Sequence, residues 1–275
     1  MTDASALPRC FGVLGDPVAH SRSPRMHEAA FAVLGLPHRY LPFSVPPSRL
    51  GQALRGAAAL GFGGLNLTVP HKVAAVAEMD RLGPAAQRTG SVNTVVFEDG
   101  AMSGHSTDGA GFMLGLRELG CTPSSAVVLG GGGAARAIVD ALSQGDPSCE
   151  IVWVSRDPSR LPAPARVRAV AYDALESTCE GADLLVDTTV VGMKGGPTDH
   201  PRPIPLERLA TTAAVVDIVY PRPPGGLLDK AAARGLAVQD GLPMLLWQGV
   251  RALELWLGGD LPEGAVEAMR NALQS

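Results

Sequence analysis

The chain has 275 residues and a net charge of −4, with 46% hydrophobic and 18% charged residues. This balance excludes a disordered chain and a basic nucleic-acid-binding protein, and it leaves enough apolar material for one large or two modest domains. The four cysteines, Cys10, Cys121, Cys149 and Cys179, are widely scattered, so neither a disulfide scaffold nor a zinc site is expected. No apolar run approaches the length of a membrane span and no signal-like segment opens the sequence, so we expect a cytoplasmic protein.

Short apolar, β-branched runs alternate with helical patterns along the chain. In the first part, strands are predicted at Cys10–Leu14, Arg39–Val45, Gly64–Val69 and Val92–Phe97, and helices at Pro24–Leu34, Pro47–Leu60 and Pro70–Met79. In the second part, a helix at Thr107–Leu119 precedes strands predicted at Ser125–Leu129, Glu150–Val154, Arg166–Ala171, Asp183–Thr188, Ala214–Val219 and Ala237–Gln239. Runs of this kind between helices indicate parallel βα units rather than hairpins. Two final helices are predicted at Pro243–Leu257 and Glu263–Leu273.

A turn-rich segment, Asp99–Gly104, precedes the Thr107 helix and predicts a domain boundary near Ser103–Asp108. We therefore expect an α/β domain over residues 1–105 and a second domain with a doubly wound parallel sheet over residues 106–241. The pattern leaves open which domain the helices of residues 242–275 pack on.

A glycine-rich turn follows the strand at Ser125–Leu129 and opens a helix. It fits the dinucleotide pattern G-x-G-x-x-A, with Gly130, Gly132 and Ala135 at the key positions. The first glycine permits a tight turn, the second lets a pyrophosphate approach the backbone, and the small third residue lets helix and strand pack closely. The turn therefore predicts a Rossmann domain, with a purely structural βα turn as the alternative.

The next predicted strand ends in Val154-Ser155-Arg156-Asp157. An arginine at this strand tip accommodates the 2′-phosphate of NADP, whereas an acidic residue binds the free 2′-hydroxyl of NAD. Since Arg156 comes first, NADP is favoured, although Asp157 would repel a phosphate. An ion pair between Arg156 and Asp157 is the structural alternative.

Polar motifs also stand where predicted strands meet helices. They are Gly15–His27, the N-x-T-x-P-x-K run Asn66–Lys72, Gly90–Thr94, Gly104–Gly109 and Asp240–Gln248. Together with the glycine turn, in this order and over nearly the whole chain, they make the sequence similar to the shikimate dehydrogenase family.

The resemblance implies an N-terminal substrate-binding catalytic domain, a C-terminal NADP-binding Rossmann domain and a cleft between them. The implied enzyme is an NADP-dependent oxidoreductase acting on a CH–OH group, which reversibly reduces 3-dehydroshikimate to shikimate on the way to chorismate and aromatic amino acids. It implies these small molecules as partners, with no metal, nucleic acid or membrane, and a monomer or homodimer. The alternatives are a quinate/shikimate dehydrogenase that accepts NAD, and a paralogue that binds NADP and shikimate without catalysis.

Lys72 and Asp108 are the acid–base pair that the resemblance implies. Reduction of a ketone requires a proton at the oxygen, and a lysine can supply it, whereas arginine never deprotonates. Only three of the 23 basic residues are lysines, the others being Lys194 and Lys230. Without the resemblance, a salt bridge between domains would be the first interpretation of Lys72 and Asp108.

The resemblance also implies two sets of binding residues. Ser21 and Ser23 would bind the substrate carboxylate, and the residues around the ring hydroxyls would be Asn66, Thr68, Asn93, Asp108 and Gln248, with Tyr220 lining the site. The implied cofactor set is Gly130, Gly131, Gly132, Gly133, Ala134, Ala135, Ser155, Arg156, Thr189, Ile218 and Gly241.

Several of these residues have structural alternatives. Ser23 before Pro24 is typical of a helix N-cap, and we expect that capping. Asn66, Thr68 and Asn93 could satisfy turn backbones instead. The dispersed histidines are interpreted as structural; they are His20, His27, His71 and His105.

The sequence departs from the family pattern at several positions. Ser106 stands where the family has asparagine in G-x-N-T-D, Glu28 replaces the asparagine after the S-P-x-x-H histidine, and Val190 replaces a serine in A-T-S-x-G-M. None of these departures removes Lys72 or Asp108.

Overall fold

The computed structural model describes residues 7–193, 195–221 and 224–274. The chain forms two compact units. The first contains the described residues up to Asp108 and those from Leu245 onward, and the second spans Gly109–Met244. Lys194 lies outside the described residues.

The first unit is built on a six-stranded sheet. Its strands are β1 (Cys10–Gly15), β2 (Arg39–Ser44), β3 (Gly64–Leu67), β4 (Arg81–Leu82), β5 (Thr94–Glu98) and β6 (Ala101–His105), in the order β2-β1-β3-β5-β6-β4. The sheet is mixed, because β1 is parallel to β2 and β3, whereas β5 is antiparallel to β3 and β6. Its helices are α1 (Ser23–Val33), α2 (Leu50–Ala59) and α3 (Pro84–Thr89).

The second unit is built on a wholly parallel sheet. Its strands are β7 (Ser125–Leu129), β8 (Glu150–Ser155), β9 (Val167–Ala171), β10 (Leu184–Asp187), β11 (Ala214–Asp217) and β12 (Ala237–Gln239), in the order β12-β11-β10-β7-β8-β9. The helices are α5 (Gly133–Gly145), α6 (Leu175–Thr178) and α7 (Leu227–Ala232). Apolar clusters lie on both sides of this sheet, as its nearly all-apolar strands require. The strand order reverses between β7 and β10, which is the topological switch point of a Rossmann fold, so this fold prediction is confirmed.

The sequence boundaries between the two units fall within two helices. These helices are α4 (Asp108–Glu118) and α8 (Leu242–Leu257), and the chain ends in α9 (Glu263–Gln274). The last helix packs against α1, so the C-terminal segment completes the first unit. Across the described part of the chain, no helix is both long enough and apolar enough to cross a membrane.

The helix predicted at Pro70–Met79 is wrong. The segment is a turn followed by a short 3₁₀ helix at Ala74–Glu78. A continuous α-helix would use the carbonyl of Lys72 for an N–H four residues later, but that carbonyl accepts from the N–H of Val92 at 2.8 Å. The backbone at Lys72 therefore pairs with the segment before β5 instead of continuing a helix.

The turn-rich segment Asp99–Gly104 lies within the first unit, whose boundary with the second unit follows Asp108. Asp99 and Gly100, with φ of 49° and 77°, form a tight turn that joins β5 to the antiparallel β6. The short elements β4 and α3, and strand β6, were not predicted from the sequence. Strand β6, Ala-Met-Ser-Gly-His, has few β-branched residues, so only its turn signals the hairpin.

Candidate active site

Lys72, Asn93 and Asp108 meet at one edge of the first unit's sheet. Lys72 lies in the turn after β3, Asn93 immediately precedes β5, and Asp108 follows β6 as the first residue of α4. The N–H of Asn93 donates to the carbonyl of His105, and the N–H of Val92 donates to that of Lys72. These backbone bonds hold the three segments together, so residues far apart in sequence present their side chains to one place.

Lys72 and Asp108 form a close ion pair. Nζ of Lys72 lies 2.6 Å from Oδ2 of Asp108, and the side chains are 16% and 4% exposed. Both residues belong to the first unit, so the pair is not a salt bridge between the two units. Removal of either partner would leave the other charge in this largely buried site without its counter-ion, which is costly.

Asn93 fixes the other oxygen of Asp108. Its Nδ2 donates to Oδ1 of Asp108 at 3.0 Å and lies 3.2 Å from Oε1 of Gln248. Its Oδ1 accepts from the backbone N–H of Thr107 at 2.7 Å, which assigns the orientation of the amide. The network is completed by Nε2 of Gln248, which donates to the carbonyl of Leu245.

Asn66 lies on β3 opposite Thr94 of β5 and is buried. Its Nδ2 donates to the carbonyl of Asn93 and to Oγ1 of Thr94, both at 3.1 Å, and its Oδ1 accepts from the hydroxyl of Tyr40 at 2.7 Å. Both amide hydrogens are therefore used within the protein. Only the second lone pair of Oδ1 remains for any ligand.

The serines at the start of α1 are arranged differently from the prediction. Ser23 is the first helical residue and does not cap the helix with its side chain. Instead, Oγ of Ser21 accepts from the N–H of Ser23 at 3.2 Å, so the upstream serine supplies the acceptor. This leaves the hydroxyl proton of Ser21 to be donated elsewhere. Thr68 lies beside Gly15, where a Cβ would be 2.4 Å from its methyl group.

The histidines of this unit have differing environments. His27 is fully buried and stacks on Tyr40, and burial lowers its pKa to about 3, so it is neutral at physiological pH. Burial is also the main cause of the lowered pKa values of His71 and His105. His20 is exposed. Among the described residues, no three His, Cys, Asp or Glu side chains are grouped so that they could hold a metal ion.

The glycine turn of the second unit has the backbone that a dinucleotide requires. Gly130 has φ of +114°, and a Cβ there would lie 2.4 Å from Oγ1 of Thr188. A Cβ on Gly132 would meet nothing within 4 Å, and no side chain caps the helix that follows. Ala135 is fully buried and packs α5 against the sheet. Gly131 is exposed, and Gly133 and Ala134 are partly exposed. The N-terminus of α5 is therefore uncapped and accessible, as a pyrophosphate site requires.

The tip of β8 carries Ser155, Arg156 and Asp157. Arg156 is exposed, and Oγ of Ser155 accepts from the N–H of Asp157. Oδ1 of Asp157 accepts from the N–H of Ser159 at 3.2 Å and from its hydroxyl at 2.6 Å. The carboxylate is thus bonded to its own turn, an arrangement other than the ion pair considered above.

The remaining residues of the implied cofactor set lie at the carboxyl ends of β10 to β12. The N–H of Thr189 donates to Asp187, and that of Ile218 donates to the carbonyl of Asp187. A Cβ on Gly241 would lie 2.0 Å from the carbonyl oxygen of Ile218 and 3.1 Å from Tyr220, so only glycine fits there.

Sequence reasoning missed a buried acidic cluster at this edge. Asp187 and Asp217 end the neighbouring strands β10 and β11 in register, and Nε2 of His200 lies 2.6 Å from Oδ2 of Asp187. Burial, followed by the charge of Asp187, raises the pKa of Asp217 to about 7. The available signal was a carboxylate at the end of each of two apolar strands, but no motif links His200 to them.

Comparisons with known proteins agree on one family. A profile described as the shikimate dehydrogenase substrate binding domain matches residues 13–95, and one described as the shikimate 5'-dehydrogenase C-terminal domain matches residues 241–274. The chain is 44% identical to the NADP(+)-dependent shikimate dehydrogenase of Rubrobacter xylanophilus, over 95% of this chain and 94% of the relative.

Solved structures give the same result. The structure of shikimate 5-dehydrogenase from Thermus thermophilus in complex with NADP(H) and shikimate is 40% identical, covers 96% of this chain and 99% of its own, and has a TM-score of 0.81. The Listeria monocytogenes enzyme in complex with shikimate and NAD is 30% identical, with 99% of both chains covered and a TM-score of 0.80.

Proposed function

Because the chain belongs to the shikimate dehydrogenase family, we propose that it is an NADP-dependent oxidoreductase that interconverts shikimate and 3-dehydroshikimate. The reaction is a step towards chorismate and the aromatic amino acids. The observation that carries the proposal is the buried pair of Lys72 and Asp108, 2.6 Å apart, in the unit matched by the substrate-binding profile.

Lys72 is the proton donor in the direction of reduction. When bound, the reduced nicotinamide supplies the hydride that the ketone carbon receives. Nζ of Lys72 releases a proton to the ketone oxygen, and in the reverse direction it takes the proton from the hydroxyl. The carboxylate of Asp108 holds the ammonium through Oδ2 and is itself held by Asn93 through Oδ1.

The substrate carboxylate binds at the start of α1, where the hydroxyls of Ser21 and Ser23 donate to it. Asn93, Gln248 and Thr68 accompany Asp108 around the ring hydroxyls, and Tyr220 is the further residue proposed to line the site. Asn66 contributes at most the remaining lone pair of its Oδ1, because its amide hydrogens are engaged by Asn93 and Thr94. Its main part is to support Asn93.

NADP fits the second unit. The open space at Gly132 and the uncapped N-terminus of α5 suit a pyrophosphate, and the exposed Arg156 suits a 2′-phosphate. The carboxylate of Asp157 keeps its negative charge but is held on its own turn by two hydrogen bonds from Ser159. Ser155, Thr189, Ile218 and Gly241 complete the proposed cofactor site.

A two-by-two assay of the purified protein tests the proposal. Initial rates are measured with shikimate or quinate as substrate and with NADP or NAD as cofactor. We expect shikimate with NADP to give the highest kcat/KM of the four combinations. Absence of reduced nicotinamide with every combination, despite binding of both ligands, would instead support a binding protein without turnover.

A quinate/shikimate dehydrogenase that accepts NAD is the second candidate. It is favoured by the relative from Listeria monocytogenes, whose structure contains shikimate and NAD. Comparable rates with NAD and NADP, or with quinate and shikimate, would establish this alternative.

The proposed location is the cytoplasm, and the proposed assembly is a monomer or a homodimer. All four cysteine thiols are free, as expected of a reducing compartment. Sedimentation of the purified protein distinguishes the two assemblies.

A further inference from the structure

One carboxylate in the second unit binds both ends of the segment 188–200, of which the structure describes residues 188–193 and 195–200. Asp187 is the last residue of β10 and is almost fully buried. Its Oδ1 accepts from the N–H of Thr189 at 2.9 Å, and its Oδ2 lies 2.6 Å from Nε2 of His200. His200 is itself only 11% exposed, so this contact is shielded from water. The hydrogen bonds to Asp187 therefore close the segment into a loop.

The same segment begins against the glycine turn. The N–H and the hydroxyl of Thr188 both donate to the carbonyl of Leu129, at 2.9 and 2.6 Å. Leu129 immediately precedes Gly130, whose α-hydrogen faces Oγ1 of Thr188 so closely that a Cβ would lie 2.4 Å from it. A shift of this segment would therefore displace the backbone of the glycine turn.

The position of the segment also indicates which half of a bound dinucleotide lies near it. The turn after β7 takes the pyrophosphate, and the tip of β8 takes the ribose that carries the 2′-substituent. The other half of the dinucleotide extends across the switch point towards β10 and β11. Segment 188–200 leaves the carboxyl end of β10 and thus lies on the nicotinamide side.

Asp187 lies among other acidic side chains. Asp217, at the matching position of β11, is also buried, and Asp240 adds a further negative charge to its surroundings. The field of His200 favours the ionised form of Asp217, whereas Asp187 and Asp240 oppose it. His200 is thus a basic side chain in direct contact with this buried acidic cluster.

We propose that His200 is a positioning residue for the cofactor, which holds segment 188–200 against the glycine turn through Asp187. The inference rests on the proposed function, because it takes the glycine turn as the NADP site. His200 itself touches neither substrate nor reacting atoms in this account. Its loss should therefore act on cofactor affinity and leave proton transfer at Lys72 intact.

The test compares variants of the full chain. His200→Ala removes the contact with Asp187, and His200→Gln keeps an amide N–H near the position of Nε2. Arg202→Ala is the matched control, since Arg202 lies two residues away in an exposed ion pair with Asp173. For each protein, the dissociation constant of NADPH is measured by fluorescence titration, and KM for NADP, KM for shikimate and kcat are measured by initial rates.

We expect His200→Ala to weaken NADPH binding and raise KM for NADP by about tenfold, the effect of losing one charge-assisted hydrogen bond. KM for shikimate and kcat should stay within about twofold, His200→Gln should recover most of the affinity, and Arg202→Ala should match the parent. If His200→Ala does not fold, His200→Asn replaces it in the comparison. The shorter amide of asparagine does not reach Asp187, so the same loss of NADPH affinity is expected.

Two outcomes overturn the inference. One is NADPH affinity within about twofold of the parent in the variant that lacks the contact. The other is a fall in kcat together with an equal rise in both KM values that His200→Gln does not rescue, which would make His200 merely structural. Failure of the parent protein to bind NADPH would instead contradict the proposed function, so the two failures are distinguishable.

Discussion

Asn93 and Asp108 are joined by a hydrogen bond of 3.0 Å from the amide Nδ2 of the first to the carboxylate Oδ1 of the second. Since Oδ2 of the same carboxylate lies 2.6 Å from Nζ of Lys72, the orientation of the asparagine determines that of the ion pair. The asparagine is in turn oriented by the backbone N–H of Thr107. The proposed proton donor thus depends on a chain of contacts that begins in the backbone.

Asn93→Ala should therefore damage both activity and stability. The buried N–H of Thr107 loses its acceptor, which should lower the free energy of unfolding by about 1–3 kcal/mol. The carboxylate of Asp108 loses its orienting donor, so kcat should fall by more than about tenfold. Urea unfolding and initial-rate kinetics measure the two effects. A variant with unchanged kcat would show that Asn93 does not orient the pair.

Two glycines of the cofactor turn should respond differently to substitution by alanine. At Gly132 a Cβ meets no protein atom within 4 Å, so Gly132→Ala should leave the thermal unfolding temperature unchanged while weakening NADPH binding. At Gly130 the positive φ and the contact with Thr188 should lower stability as well. Normal NADPH affinity in Gly132→Ala would contradict the placement of the pyrophosphate.

Arg156→Ala should weaken NADP far more than NAD. The guanidinium is proposed to bind the 2′-phosphate, and loss of such a charge-assisted contact costs about 1.5–3 kcal/mol, or about 10- to 100-fold in affinity. The ratio of kcat/KM for the two cofactors measures the effect, with Arg168→Ala, an exposed arginine on β9, as the control. Equal weakening of both cofactors would contradict this role.

Asp217→Asn should stabilise the protein at high pH. Burial, and then Asp187, raise the pKa of Asp217 to about 7 in the folded protein, against an ordinary value near 4 in the unfolded chain. The folded state therefore holds a proton that the unfolded chain releases, so stability falls as the pH rises from about 4 to 7, and the cost is complete above about 7.

The asparagine removes that ionisation and keeps an acceptor for the N–H of Val219. At pH 8 the variant should be more stable by on the order of 2–4 kcal/mol, and at pH 4 the difference should vanish. Urea unfolding across this range is the measurement, with the exposed Asp173→Asn as control. A stability difference that does not change with pH would contradict the raised pKa.

The sequence predicted the second unit better than the first, for physical reasons. Buried parallel strands are nearly all apolar, so the bounds of Ser125–Leu129 agree with the prediction. The bounds of the short edge strand Ala237–Gln239 also agree, although it has no fully buried residue. The segment after Pro70 has helical apolar spacing, but the hydrogen bond from Val92 to the carbonyl of Lys72 is a long-range contact that spacing does not reveal.

In the candidate site, too, some features could be predicted from the sequence and others could not. The glycine turn could be recognised because its function requires a particular backbone, and Lys72 and Asp108 because their motifs resemble those of the family. The contact of His200 with Asp187 could not, since it depends on how a loop folds back on a strand end. The engagement of Asn66 by Tyr40 likewise follows from the pairing of distant strands.

The central claim is that Lys72 transfers the proton, and replacement of this one residue tests it most directly. Steady-state kinetics with shikimate and NADP are compared for the parent, Lys72→Ala and Lys72→Arg, with the exposed Lys230→Ala as control. We predict that kcat falls by about 10²- to 10⁴-fold in Lys72→Ala with little change in KM, and that arginine, which keeps the charge but does not deprotonate, fails to restore it. A kcat near that of the parent in either Lys72 variant would contradict the account.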